Sequence, residues 1–87
     1  MAKITEDTIA ISKRFFEALN ALIVRGDLDG KKTFTDKYEI NRRNFYTVEK
    51  EPEKQSVSMV WIAYMVKDFD VSAKWLLTGQ GKMFSKA

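Results

Sequence analysis

Apolar residues recur along this chain at helical rather than strand spacing. Between Thr8 and Arg25, the residues Phe15, Phe16, Leu19, Leu22 and Ile23 fall in one stripe, with Lys13, Glu17 and Asn20 outside it. Such a stripe, about 120° wide at roughly 100° per residue, predicts a first amphipathic helix. Thr5, Asp7 and Thr8 are candidate caps for its start, and Gly26 its stop. Arg25 to Gly30 reads as a loop.

A short polar segment, Lys31 to Glu39, follows, with Phe34 and Tyr38 four apart on one face. Thr33 and Asp36 resemble a capping box, and Gly30 is an equally good start. Asn41 caps a third predicted helix, Arg42 to about Lys50, ended by Glu51-Pro52 because the residue before proline avoids the α region. A fourth is predicted from Ser56 to Phe69 with two opposed apolar faces. Val57, Val60, Trp61 and Tyr64 form one face; Met59, Ile62, Val66 and Phe69 form the other. A helix apolar nearly all round is expected to be buried or sandwiched, under the fifth helix and the tail or under a second subunit. Ser72 caps a fifth helix, Ala73 to Thr78, closed by Gly79 in the left-handed region. Trp75, Leu76 and Leu77 are expected to fold back on the chain's own core rather than serve as a partner-binding knob. Residues 81–87 form a tail expected to be flexible. The prediction is an all-α, five-helix single domain spanning 1–87.

Length and composition agree. At 87 residues, 45% hydrophobic and 13% aromatic, the chain has material for one core and not for two. It contains no Cys and no His. That removes disulfides, thiolate nucleophiles, the usual zinc ligands and the commonest general base, so no enzymatic role, metal or cofactor is expected. Asp27 and Asp29 in the loop, and Asp68 with Asp70, lack the further ligands of a metal centre. The start of the chain is acidic where a signal peptide would be basic, and the longest apolar stretch, residues 57–66, is about half of the roughly 20 residues that span a bilayer. A cytoplasmic, nucleoid-associated protein without membrane contact is expected. No small-molecule ligand is indicated.

Charge changes the picture locally. The net charge is +3 with a pI near 9.2. Residues 31–50 hold six basic and three acidic side chains, a surplus equal to the whole net charge. On the third helix Phe45 and Val48 point one way, while Arg43, Tyr46, Thr47 and Lys50 point the other with Arg42 on the flank. Arginine pairs two-pronged with guanine, Thr and Tyr bond bases or phosphates, and lysine neutralises phosphate, so this face suits a major groove.

Two motifs sharpen the expectation. Phe34-Thr35, Glu39-Ile40-Asn41 and Phe45-x-x-Val48-Glu49 occupy the places of an apolar-Ala pair, a Gly-Val-Ser turn and an apolar-x-x-apolar-Glu end. This segment resembles the helix-turn-helix of phage-repressor and Cro-like (lambda-repressor-like) regulators. The stretch Trp75-Leu76-Leu77-Thr78-Gly79-Gln80-Gly81 is similar to the Trp-Leu-Leu-Thr-Gly-x-Gly close of bacterial and prophage members. From the first motif to the last, the resemblance spans residues 34–81, a little over half of the chain. It implies a compact five-helix lambda-repressor-like domain, with a helix-turn-helix formed by helices two and three. It further implies sequence-specific binding of double-stranded DNA as a transcriptional regulator, with repression the expected mode and a homodimer on a palindromic operator. Base contacts would come from Asn41, Arg42, Arg43, Tyr46 and Thr47, and phosphate contacts from Lys31, Lys32, Asn44, Lys50 and Lys54. Thr35 stands where the family has Ala and is expected to turn its hydroxyl onto its own helix. Glu39 stands where the family has a turn Gly: a positive φ there would mean the family's turn, under strain, and a negative φ a different turn. The alternative expectation is a helical adaptor or antitoxin that uses the apolar fourth and fifth helices.

Overall fold

The computed structural model describes residues 5–85. Five helices follow one another: α1 (Glu6–Arg25), α2 (Lys31–Lys37), α3 (Arg42–Lys50), α4 (Met59–Phe69) and α5 (Ala73–Thr78). Among the described residues there is no strand, only an isolated antiparallel bridge between Val71 and Phe84.

Thr5 is the effective cap of α1, its hydroxyl accepting from the Thr8 amide at 3.2 Å, so the helix begins earlier than Thr8. Glu6 and Asp7 then lie in the first turn, where carboxylates favour the helix dipole. Gly26, at φ +87°, closes the helix. Its amide bonds to the Ile23 carbonyl, and that of Asp27 to the Leu22 carbonyl.

α2 is capped by Gly30 and ends at Lys37, short of Glu39. Its close repeats the device that ends α1: the Glu39 amide bonds to Asp36 and the Ile40 amide to Thr35, with Glu39 at φ +54° between them. These paired bonds satisfy carbonyls that the last turn leaves open, and they demand a left-handed residue. Of the two conformations open to Glu39, the structure therefore has the left-handed one. Thr35 is buried, its hydroxyl donating to the Lys32 carbonyl at 3.0 Å.

α4 begins three residues later than Ser56. The reason lies in α1. The buried Ser12 hydroxyl accepts the Val57 amide at 3.3 Å, holding Val57 outside the helix with its side chain in the core. Ser58 then caps Val60. Within the single chain the two apolar faces of α4 are covered unequally, with Ile62, Tyr64 and Phe69 partly buried against the core. Trp61 and Met65 form one buried stripe, whereas Met59 and Val60 are exposed.

The core is largely aromatic. Phe15 of α1 meets Phe16, Phe34, Phe45 and Trp61 at centroid distances of 5.0–6.2 Å. Phe45 in turn packs on Phe16 and Trp61, both at 5.2 Å. α5 buries Trp75 and Leu76 against this core and leaves Leu77 half exposed. Arg14 of α1 fastens it by donating to the Leu76 carbonyl at 2.8 Å.

The tail is held rather than loose as far as Ser85. The Ser72 amide bonds to the Met83 carbonyl and that of Ser85 to the Asp70 carbonyl, and the Arg25 guanidinium lies 4.2 Å over the Phe84 ring. Residues 86 and 87 lie outside the described residues. No helix among the described residues is long and apolar enough to cross a membrane.

Glu39 carries the backbone cost of its turn without a Cβ-free residue to relieve it. Glu39→Gly is expected to raise stability by about 0.5–1 kcal/mol, after the greater unfolded-state entropy of glycine is subtracted. Thermal melts should show Tm rising by roughly 2–8 °C. A fall in Tm would show that the Glu39 side chain contributes more than its backbone loses.

Candidate nucleic-acid interface

α3 is oriented from its inner side. Phe45 and Val48 are completely buried, and with this stripe fixed the rest of the helix faces outward. Arg42, Arg43, Asn44, Tyr46 and Lys50 are exposed and Thr47 is half-buried. Tyr46 is 43% exposed, and its ring lies edge-on to that of Phe45. The expected base-reading residues are thus together on one solvent-facing surface.

Hydrogen bonds within the helix limit what some of them offer. Asn41 caps α3 by accepting the Asn44 amide on Oδ1 at 3.0 Å. With one lone pair of the oxygen so engaged, the side chain still offers its NH₂ donors and a second lone pair. The Thr47 hydroxyl donates to the Arg43 carbonyl at 2.8 Å. Neither Arg42 nor Arg43 forms an ion pair among the described residues.

The lysines divide. Lys31, expected on phosphate, instead pairs with Glu49 across the gap between the start of α2 and the end of α3. Both side chains are about three-quarters buried, so this ammonium braces the two helices and cancels the only carboxylate of α3. Lys54 pairs with Glu51 at 3.3 Å in an exposed contact. Lys32 and Lys50 are exposed and form no ion pair among the described residues.

The reverse side of the α2–α3 turn carries a brace that sequence reasoning missed. Tyr38 stacks on Tyr64 of α4 at 3.9 Å with the rings 6° from parallel, and its hydroxyl donates to Asp68. Burial pushes the Tyr38 phenol well above its ordinary value, and the Asp68 carboxylate pushes it further, so it remains a donor. The spacing of Phe34 and Tyr38 marked one inward face, but nothing in the sequence pairs Tyr38 with a tyrosine 26 positions on. Beside this stack, a polar cleft of about 440 Å³ opens between the turn and the start of α4. Asn41, Asn44, Gln55, Ser56 and Ser58 line it, which brings loop residues absent from the sequence expectation alongside the start of α3.

No family model, curated protein or solved structure matches this chain at a significant level.

The Lys31–Glu49 pair can be weighed by melting. Lys31→Met and Glu49→Gln should each lower stability by about 0.5–1 kcal/mol, and the double variant by less than their sum. Lys32→Met should stay within about 0.5 kcal/mol of the parent. Additive losses at 31 and 49 would show that the two side chains act independently in solution.

Proposed function

We propose that this protein binds double-stranded DNA sequence-specifically as a transcriptional regulator of the lambda-repressor-like kind, with repression its expected mode. In this reading α2 and α3 form the helix-turn-helix, and α3 enters the major groove. One observation carries the proposal. The outward surface of α3 presents Arg42, Arg43, Tyr46 and Lys50, while its one carboxylate is neutralised by Lys31. A helix roughly 10–12 Å across fits a groove about 12 Å wide, and adjacent arginines at its start are placed for guanine edges. The left-handed close of α2 and the buried Thr35, both at motif positions, support the same reading. In this reading a homodimer sits on a palindromic site with the two α3 helices about 34–36 Å apart. The protein would act at the nucleoid, without cofactor or metal.

An adaptor or antitoxin role is the second reading. It takes support from an apolar groove of about 340 Å³ lined by Ile11, Val57, Met59, Ile62 and Leu77, where Met59 is 84% and Leu77 48% exposed.

Duplex binding measured against salt separates the two. Lys32, Arg42, Arg43 and Lys50 are the exposed basic residues of the interface without an ion pair among the described residues. With Lys32 and Lys50 on phosphates and the two arginines on base edges, log affinity should fall against log salt with a slope of roughly −2 per protomer. Failure to shift mixed duplex DNA at low salt would discard the DNA reading and favour the adaptor.

Substitutions should then split by role. Arg43→Ala should cost about 1–3 kcal/mol on the preferred site and much less on random DNA. Lys32→Ala should weaken both alike and reduce the salt slope by about one. Equal losses on both DNAs for Arg43→Ala would remove it from the base-reading set.

A further inference from the structure

Thr47 lies one helical turn beyond Arg43 on the outward side of α3. A threonine hydroxyl has a single proton, and here that proton is held by the Arg43 carbonyl at 2.8 Å. Such a bond to the carbonyl four residues back lays the oxygen against the helix backbone. It also selects one of the few rotamers open to a β-branched side chain in a helix. With no donor left and the oxygen, which can still accept, turned toward the backbone, the methyl is the group placed to face a partner. Arg43 is in the opposite state: exposed, without an ion pair among the described residues, and carrying its full set of guanidinium donors.

These two states select different base edges. Guanine offers the two acceptors that a guanidinium spans, and thymine alone among the four bases carries a methyl group in the major groove. A side chain without a free donor cannot bond the N7 or O6 acceptors, but its methyl packs on another methyl. Four residues of helix rise roughly 6 Å, which is within two base steps of ~3.4 Å. Resting on the DNA-binding reading above, we infer that Arg43 and Thr47 together read a guanine and a thymine within two base steps of each other, Thr47 acting through its methyl and not its hydroxyl.

The test begins by selecting bound duplexes from a random pool with the wild-type chain. The selected half-site should contain that guanine and thymine. Replacing the thymine by deoxyuridine, which lacks only the methyl, should then weaken wild-type binding about fourfold. Thr47→Val keeps a methyl and discards the hydroxyl, so it should show the same loss with deoxyuridine. Thr47→Ser keeps the hydroxyl and discards the methyl, so it should bind the two duplexes equally. Melting curves on both variants establish that each is folded before binding is compared. Thymine preference kept by Thr47→Ser and lost by Thr47→Val would overturn the methyl reading while leaving DNA binding intact. A selected site without the guanine–thymine pair would do the same. A pool from which no duplex is bound would instead overturn the proposed function, and this inference with it.

Discussion

The structure depends on one aromatic cluster. Phe15, Phe16, Phe34, Phe45 and Trp61 bring four helices to a common centre, with Phe15 touching the other four rings. α2 and α3 are seven and nine residues long, below the roughly 12–15 at which an isolated helix becomes even marginal in water. Each therefore exists because its phenylalanine is buried, Phe34 for α2 and Phe45 for α3. Rings of this size contribute large buried areas and prefer edge-to-face or tilted contacts, so they set helix orientation as well as helix presence. The outward surface of α3 is in this sense the other side of Phe45.

Around that centre three ties hold α2 and α3 to each other and to α4. At one end Lys31 and Glu49 join the start of α2 to the end of α3. At the turn, backbone bonds to Thr35 and Asp36 close α2 and impose the left-handed Glu39. Behind the turn, Tyr38 is clasped by Tyr64 and Asp68 of α4. The aromatic core alone would leave two short helices free to tilt about their buried rings. Polar ties placed at opposite ends resist that tilt, which matters for a surface whose reading depends on helix orientation.

What could be read in the sequence divides along the range of the interactions involved. α3 and α5 begin and end where expected, because their limits are local: Asn41 and Ser72 cap, Pro52 and Gly79 stop. The sequence leaves the conformation at Glu39 open, because the motif position asks for a positive φ and a glutamate resists it; the backbone bonds that close α2 decide it. The start of α4 was not legible, since Ser56 and Ser58 are equally good caps and the choice is made by Ser12, 45 positions away. Nor was the division of labour among the lysines, because Lys31 meets Glu49 only once α2 and α3 are packed. The tail looked free because its anchors, Val71 and Arg25, lie in other segments. The residues expected to read bases on α3 are exposed or half-buried on one side of the helix. The part of their chemistry already engaged by the helix itself, at Asn41 and Thr47, appears only with the hydrogen bonds.

A chain with a net charge of only +3 can present a positive surface because its surplus is concentrated: residues 31–50 hold six basic and three acidic side chains. Net charge counts every carboxylate equally, whereas a partner meets only those that are exposed and unpaired. In the 31–50 segment Glu49 is cancelled by Lys31, and just beyond it Glu51 is cancelled by Lys54. The two arginines at the start of α3 keep their charge, since no acid pairs with either among the described residues. Screening shortens electrostatic reach to about 8–10 Å at moderate salt, so what a polyanion feels is this local balance and not the sum over the molecule. The Lys31–Glu49 pair holds α2 to α3 without altering that balance, since it takes one charge of each sign: loosening the brace would return an ammonium and a carboxylate to the surface together.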